Sequence, residues 1–224
     1  MGSDIDSASS ARRALLRNCS RGLLAAAAAL WAPAGAQGAS RTLLVVGDSL
    51  SAEYGLARGT GWVALLEKRI LAEKLPVKVV NASISGDTTS GGRSRLPALL
   101  KQHKPHLVLL ELGGNDALRG LPLKMTQDNL AAMARVAKAA GAKVLVVGMA
   151  MPPNYGRQYA EAFLQLFATV AAAESTALVP FLLKGVADGP DADKLFQPDR
   201  IHPTGAAQPR MLDNVWPVLK PLLR

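Results

Sequence analysis

Across residues 41–224, short apolar runs alternate with longer segments in which apolar residues recur every three or four positions. The runs Leu43–Val46, Val77–Val80, Leu107–Leu110, Val144–Val147 and Ala177–Val179 are too short for helices and nearly unbroken. They predict five strands, each covered on both faces. Between them, "GWVALLEKRILAEK", "GGRSRLPALLKQHK", "TQDNLAAMARVAKAAG" and "YGRQYAEAFLQLFATVAAAES" carry the helical period, and "GAAQPRMLDNVWPVLKPLL" predicts a closing helix bent at its prolines. Alternation this regular predicts an α/β domain with a parallel sheet and helices on both faces. No repeat, long linker or low-complexity stretch follows Ala39, so one domain, residues 37–224, is expected.

The segment before it has a different pattern. Arginines at 12, 13, 17 and 21 precede the apolar run Gly22–Trp31, and small residues in an A-x-A arrangement follow at Ala32, Ala34 and Ala36. That order predicts a secretory signal over residues 1–36, cleaved near residues 34–39, and a run of ten residues is too short to span a bilayer. The opening "MGSDID" departs from the pattern by placing two acids ahead of the arginines. Cys19, the only cysteine, precedes the apolar run and so is not placed as a lipid anchor; cleavage would leave no thiol and no disulfide. A periplasmic or secreted location is therefore expected.

The formal charge of +9 falls to +7 once the four arginines and two aspartates of residues 1–40 are set aside. The remaining cations are scattered and aromatics make up only 4% of the chain. A nucleic-acid interface would need a basic stripe and stacking platforms, so none is expected.

In an open parallel sheet the strand-to-helix loops gather at one end, where ligands bind. Those loops are "GDSLSAEYG", "NASISGDTTSGG", "ELGGNDALRGLPL" and "GMAMPPNYG", while the opposite connections ("KLP", "KP", "AGAK") are short and plain. The first places Asp48 and Ser49 directly after an apolar strand. This is either an ordinary Gly-Asp-Ser turn or a nucleophilic serine, with Asp48 as the turn-former. A serine nucleophile needs a base, usually histidine, oriented by a third group. His103 and His106 flank "KP" at the opposite end, and their H-x-x-H spacing lacks the further ligands of a metal site. His202, in "QPDRIHPTG", can reach the loop end, and Asp199 stands three residues before it. The two either cap the closing helix or form a base–orienter pair. Oxyanion donors are available in the N–H of Ser49, the N–H of Gly86 and the side-chain amide of Asn115. Gly86 and Asn115 equally suit turn and cap positions.

The blocks "VVGDSLSAEYG", "NASISGDTTSGGRSRLPALLKQHKP", "LVLLELGGNDALRGLP" and "DRIHPTGAAQP" stand in order and at separations that resemble the SGNH/GDSL hydrolase family. The resemblance lies with its periplasmic arylesterase and thioesterase–lysophospholipase branch and spans Arg41 to the C-terminus. It implies a three-layer α/β/α, flavodoxin-like fold with a five-stranded parallel sheet, and an ester or thioester hydrolase working through an acyl-enzyme. By that resemblance Ser49 is the nucleophile, His202 the base and Asp199 its orienter, and Ser49, Gly86 and Asn115 form the oxyanion hole. It implies no metal and no cofactor. Arg200 departs from the glycine that commonly precedes "IHP" in relatives, which bears on loop shape.

The partner expected is a small acyl ester or thioester, with membrane lipids among the candidate substrates and no obligate protein partner. The acyl-facing wall is expected from "ALRGLPL" and "AMPPNYG", hence Leu118, Pro122, Pro153 and Tyr155. Two other functions use the same sequence: an O-acetyl esterase of carbohydrate, favoured by an open polar groove, and a non-catalytic module binding anions or lipids through "SGDTTSGG". The latter loop lacks the spacing of a phosphate loop.

Overall fold

The computed structural model describes residues 41–151 and 153–224, with no account of the Pro153 side chain. The expected leader and Cys19 lie outside the described residues. Five strands, β1 (Arg41–Gly47), β2 (Val77–Asn81), β3 (Leu107–Glu111), β4 (Lys143–Val147) and β5 (Ala177–Val179), form one parallel sheet in the order β2-β1-β3-β4-β5. The strands extend each apolar run by at most two residues at either end.

Side chains alternate across the sheet, as strand geometry requires. Leu43, Val45, Leu107, Leu109, Leu145 and Val147 meet α1 (Trp62–Ala72) and α7 (Gln208–Leu219) on one face. Leu44, Val46, Val108, Leu110, Val144 and Val146 meet α2 (Thr89–His103), α4 (Leu123–Ala139) and α5 (Arg157–Ala173) on the other. Two short helices, α3 (Gly114–Leu118) and α6 (Ala192–Leu195), sit in the loops. The result is the three-layer α/β/α arrangement.

The expectation that every strand is covered on both faces holds for the centre of the sheet only. β3 is buried throughout, whereas β2 is half-buried with Lys78 exposed, because it is an edge strand. Charge on an edge is one way proteins discourage further strand pairing. The closing helix keeps α geometry past Pro217 and tightens to a 3₁₀ turn at Lys220–Leu223. α2 likewise contains Pro97 and ends at His103, ahead of Pro105, with Lys104 in a left-handed conformation.

Chain order reverses between β1 and β3. The chain leaves β1 for the edge strand β2 and returns to β3 on the other side, which opens a crevice at the carboxyl ends of β1 and β3.

Candidate active site

Ser49 follows β1 by two residues, in a turn where the N–H groups of Ser51 and Ala52 donate to the Asp48 carbonyl. The Asp48 carboxyl completes the turn: its Oδ1 accepts from the Leu50 N–H at 3.0 Å. Ser49 Oγ lies 2.8 Å from His202 Nε2, and His202 Nδ1 lies 2.7 Å from Asp199 Oδ2. A carboxylate only accepts, so Nδ1 carries the proton and Nε2 offers its lone pair to the serine hydroxyl. Three residues separated by up to 153 positions thus meet in one hydrogen-bonded line.

The loop holding His202 is itself pinned. Gln197 N–H donates to the His202 carbonyl at 2.8 Å, and Phe196 bridges Pro203. Asp199 Oδ1 accepts from the N–H groups of Ile201 and His202 at 2.9 and 3.0 Å. Slight burial raises the Asp199 carboxyl, but these bonds and the imidazole outweigh it and hold the group at about 2. It is therefore ionised throughout the neutral range. Tyr54, from the turn after Ser49, packs at a tilt of 38° against the His202 ring, 4.3 Å between centroids.

Asn115 stands in the first turn of α3 after β3, and its Nδ2 donates to Asp48 Oδ2 at 3.2 Å. Gly86 has φ +79°, a conformation that favours glycine; a Cβ there would meet nothing nearer than Arg119 at 3.8 Å. Backbone conformation rather than close approach within the protein is what requires glycine. Neither the Ser49 nor the Gly86 N–H donates to another described residue. Two ties join the Gly86 turn to α3. Arg119 donates to the Gly86 carbonyl at 2.8 Å, and the buried Asp116 carboxylate accepts from both the N–H and the hydroxyl of Thr89.

A cavity of about 590 Å³ opens at Ser49 and is lined by Asp48, Asn115 and His202. Leu118 lines it together with Met149, Met151 and Phe163. Of the other expected wall residues, Pro122 caps α4, exposed, and Tyr155 is exposed in the turn Pro153–Tyr155; neither lines the cavity. Pro153 belongs to that same turn. Gly86 also lies outside the lining. The second wall comes instead from the segment after β5, through Phe181, Leu183, Ala187, Phe196 and Ile201. The apolar letters of "PFLLKGV" were the signal for it.

Sequence reasoning also missed Glu111, the last residue of β3. It is fully buried beneath the Ser49 turn, where its Oε2 accepts from Ser51 Oγ at 2.6 Å and from the Asp48 N–H at 3.3 Å. A Cβ on Gly47 would fall 2.7 Å from that oxygen, so glycine at 47 makes room for the carboxyl. Burial, and then the Asp48 charge, push Glu111 well above the usual carboxylate range. Burial likewise pushes Asp48 up to about 7. His103 and His106 stay at the opposite end, where His106 Nδ1 accepts from the Thr42 N–H at 3.2 Å. Among the described residues no cluster of His, Cys, Asp and Glu could hold a metal ion.

Residues 45–209 match the GDSL-like lipase/acylhydrolase family. The chain belongs to this family. Esterase TesA of Pseudomonas aeruginosa is 59% identical over 187 residues, covering 84% of this chain and 92% of that protein. The thioesterase 1/protease 1/lysophospholipase L1 of Escherichia coli is 44% identical over 185 residues, covering 83% and 86%. The crystal structure of a psychrotrophic esterase, EstA from Pseudoalteromonas sp., inhibited by monoethylphosphonate, superposes with a TM-score of 0.76 at 40% identity, covering 82% and 98%. As a GDSL-like acylhydrolase the protein is a hydrolase of carboxylic esters.

Proposed function

We propose that Ser49, His202 and Asp199 are the catalytic triad of an exported hydrolase of esters and thioesters with apolar acyl groups. The observation that carries this reading is the 2.8 Å contact between Ser49 Oγ and His202 Nε2 at the mouth of the apolar cavity. His202 takes the Ser49 proton as Oγ attacks the acyl carbon, and the Asp199 carboxylate balances the imidazolium that forms. The oxyanion is received by the Ser49 and Gly86 N–H groups and the Asn115 amide. His202 then protonates the leaving alcohol or thiol. Water, deprotonated by the same histidine, attacks the acyl-enzyme and releases the acid.

The lining is mostly apolar, through residues such as Phe163, Phe181 and Leu183 with Asp188, Asp193 and Arg200 as polar exceptions, which supports an acyl chain over an acetylated sugar. Export rests on the pattern of residues 1–36. The triad and the donor set all lie in residues 41–224, downstream of that segment. No helix among the described residues is long and apolar enough to cross a membrane.

The test is hydrolysis of p-nitrophenyl esters of two to twelve carbons, beside labelling by a p-nitrophenyl alkylphosphonate, whose nitrophenolate leaves as the nucleophile bonds to phosphorus, with the adduct located by mass spectrometry. Turnover rising with chain length and a single adduct on Ser49 are expected. An adduct on another residue, or a preference for acetyl esters, would overturn the nucleophile or the substrate class respectively.

A further inference from the structure

We propose that Asp48 is a positioning residue of the oxyanion site: its buried carboxylate fixes the Asn115 amide with one N–H turned to the cavity. The inference rests on the reading of Asn115 as an oxyanion donor. A side-chain amide has nearly the same shape after a half-turn that exchanges its oxygen and its amino group. In an oxyanion site the two orientations are opposites, since one donates to the developing charge and the other sets a carbonyl oxygen against it. Something must choose between them.

Asp48 Oδ2 faces Asn115 Nδ2 at 3.2 Å. A carboxylate has no proton to give, so only the amino group can occupy that side. The second N–H of the same amino group diverges within the amide plane and is left for the cavity, which both residues line. Asp48 is held firmly enough to impose the choice. It is 2% exposed, its other oxygen accepts from the Leu50 N–H at 3.0 Å, and its own N–H rests on the buried Glu111 carboxyl. The residue read as a turn-former has a second bond that turn formation does not need.

The experiment separates these two roles at pH 8, where a carboxyl pushed up to about 7 is mostly ionised. In Asp48→Ser the hydroxyl can still accept from the Leu50 N–H but is too short to reach Asn115. With p-nitrophenyl butyrate, kcat should fall about 10-fold or more while KM stays within about twofold, because the oxyanion contact that the Asp48–Asn115 bond supports exists only in the transition state. In an Asn115→Ala background the same substitution should change kcat by less than about twofold. Asp48→Asn keeps the shape and can present an oxygen to Asn115, so it should recover part of the loss. It also carries the cycle if the melting temperature shows that Asp48→Ser is not folded. An unchanged kcat in a folded Asp48→Ser variant, or an equal loss in both backgrounds, would overturn the proposal. Full activity of Asn115→Ala alone would overturn the oxyanion reading beneath it.

Discussion

His106 and His202 occupy opposite ends of the sheet and put the same ring to opposite uses. At the amino end of β3, His106 Nδ1 accepts from the Thr42 N–H, and the His106 main chain pairs with Thr42 and Lys143. The ring extends the sheet's bonding by one link. At the carboxyl end, Nδ1 of His202 faces a carboxylate that can only accept, so the ring is turned into a donor there and a base at Nε2. The neighbours, not the imidazole, decide which histidine can start a reaction.

The strongest test of that contrast is a pair of truncations. His202→Ala and Ser49→Ala should each lower kcat/KM by about 10³-fold or more, whereas His106→Ala should stay within about twofold of the parent. The latter should lose about 1 kcal/mol of stability with its hydrogen bond, read from urea unfolding. Comparable activity losses at both histidines would break the contrast. A second pair extends it to asparagines. Asn115→Ala should cost about 10²–10³ in kcat. Asn129 is buried, donates to Thr89 Oγ1 at 3.1 Å and accepts from Arg93 at 3.1 Å. Its truncation should appear as about 1–3 kcal/mol of lost stability instead. Asp199→Ala should fall below the Asn115 effect, at about 10- to 100-fold in kcat, since a misoriented imidazole still carries a lone pair.

The two ends also differ in how far they could be read from the chain. The strands were legible because a sheet buried on both faces writes unbroken apolar runs. Ser49, Asn115, Asp199 and His202 were legible because each stands in a short loop whose polar residues contrast with the strand before it. Glu111 was not, although it is part of the same loop end. As the last letter of "LVLLE" it resembles an ordinary polar boundary. Its place beneath the Ser49 turn follows from the register that pairs it with Gly47 across β1 and β3, which no single segment records. The half-covered β2 and the cavity wall after β5 were hidden for the same reason: strand order and loop return are properties of the assembled sheet. Pro122 and Tyr155 were chosen for their apolar loops, yet one caps a helix and the other is exposed and absent from the cavity lining.

That buried pair of carboxyls sharpens the contrast through pH. Asp48 and Glu111 hold protons more tightly in the folded protein than in the unfolded chain. Their contribution to stability is therefore greatest below the ordinary carboxylate range and declines as the pH rises from about 4 toward 7, where Asp48 ionises. Asp199 acts with the opposite sign and in a separate window, since its contribution is lost only as the pH falls from about 4 toward 2. Glu111→Gln keeps an acceptor for Ser51 and Asp48 while removing one titration. Relative to the parent, its melting temperature should rise as the pH climbs above the ordinary carboxylate range, because the parent alone loses stability there by holding the Glu111 proton. A constant difference across that range would show that folding does not raise the Glu111 carboxyl.

The smallest effect is expected at Arg200, where the loop carrying the base meets its own backbone strain. Arg200 has φ +57°, which the N–H of Ile201 and His202 impose by turning back onto Asp199. A residue with a Cβ pays about 1 kcal/mol in this region, and glycine does not. Glycine also gives the unfolded chain more freedom, by roughly 0.5–1 kcal/mol, so the two effects nearly cancel. Arg200→Gly should change stability by less than about 1 kcal/mol and leave kcat on a short ester within about twofold. Because Arg200 lines the cavity, its removal should be felt in KM for long acyl chains. A large fall in kcat would instead mean that the arginine, not the hydrogen-bonded turn, sets the Asp199–His202 geometry.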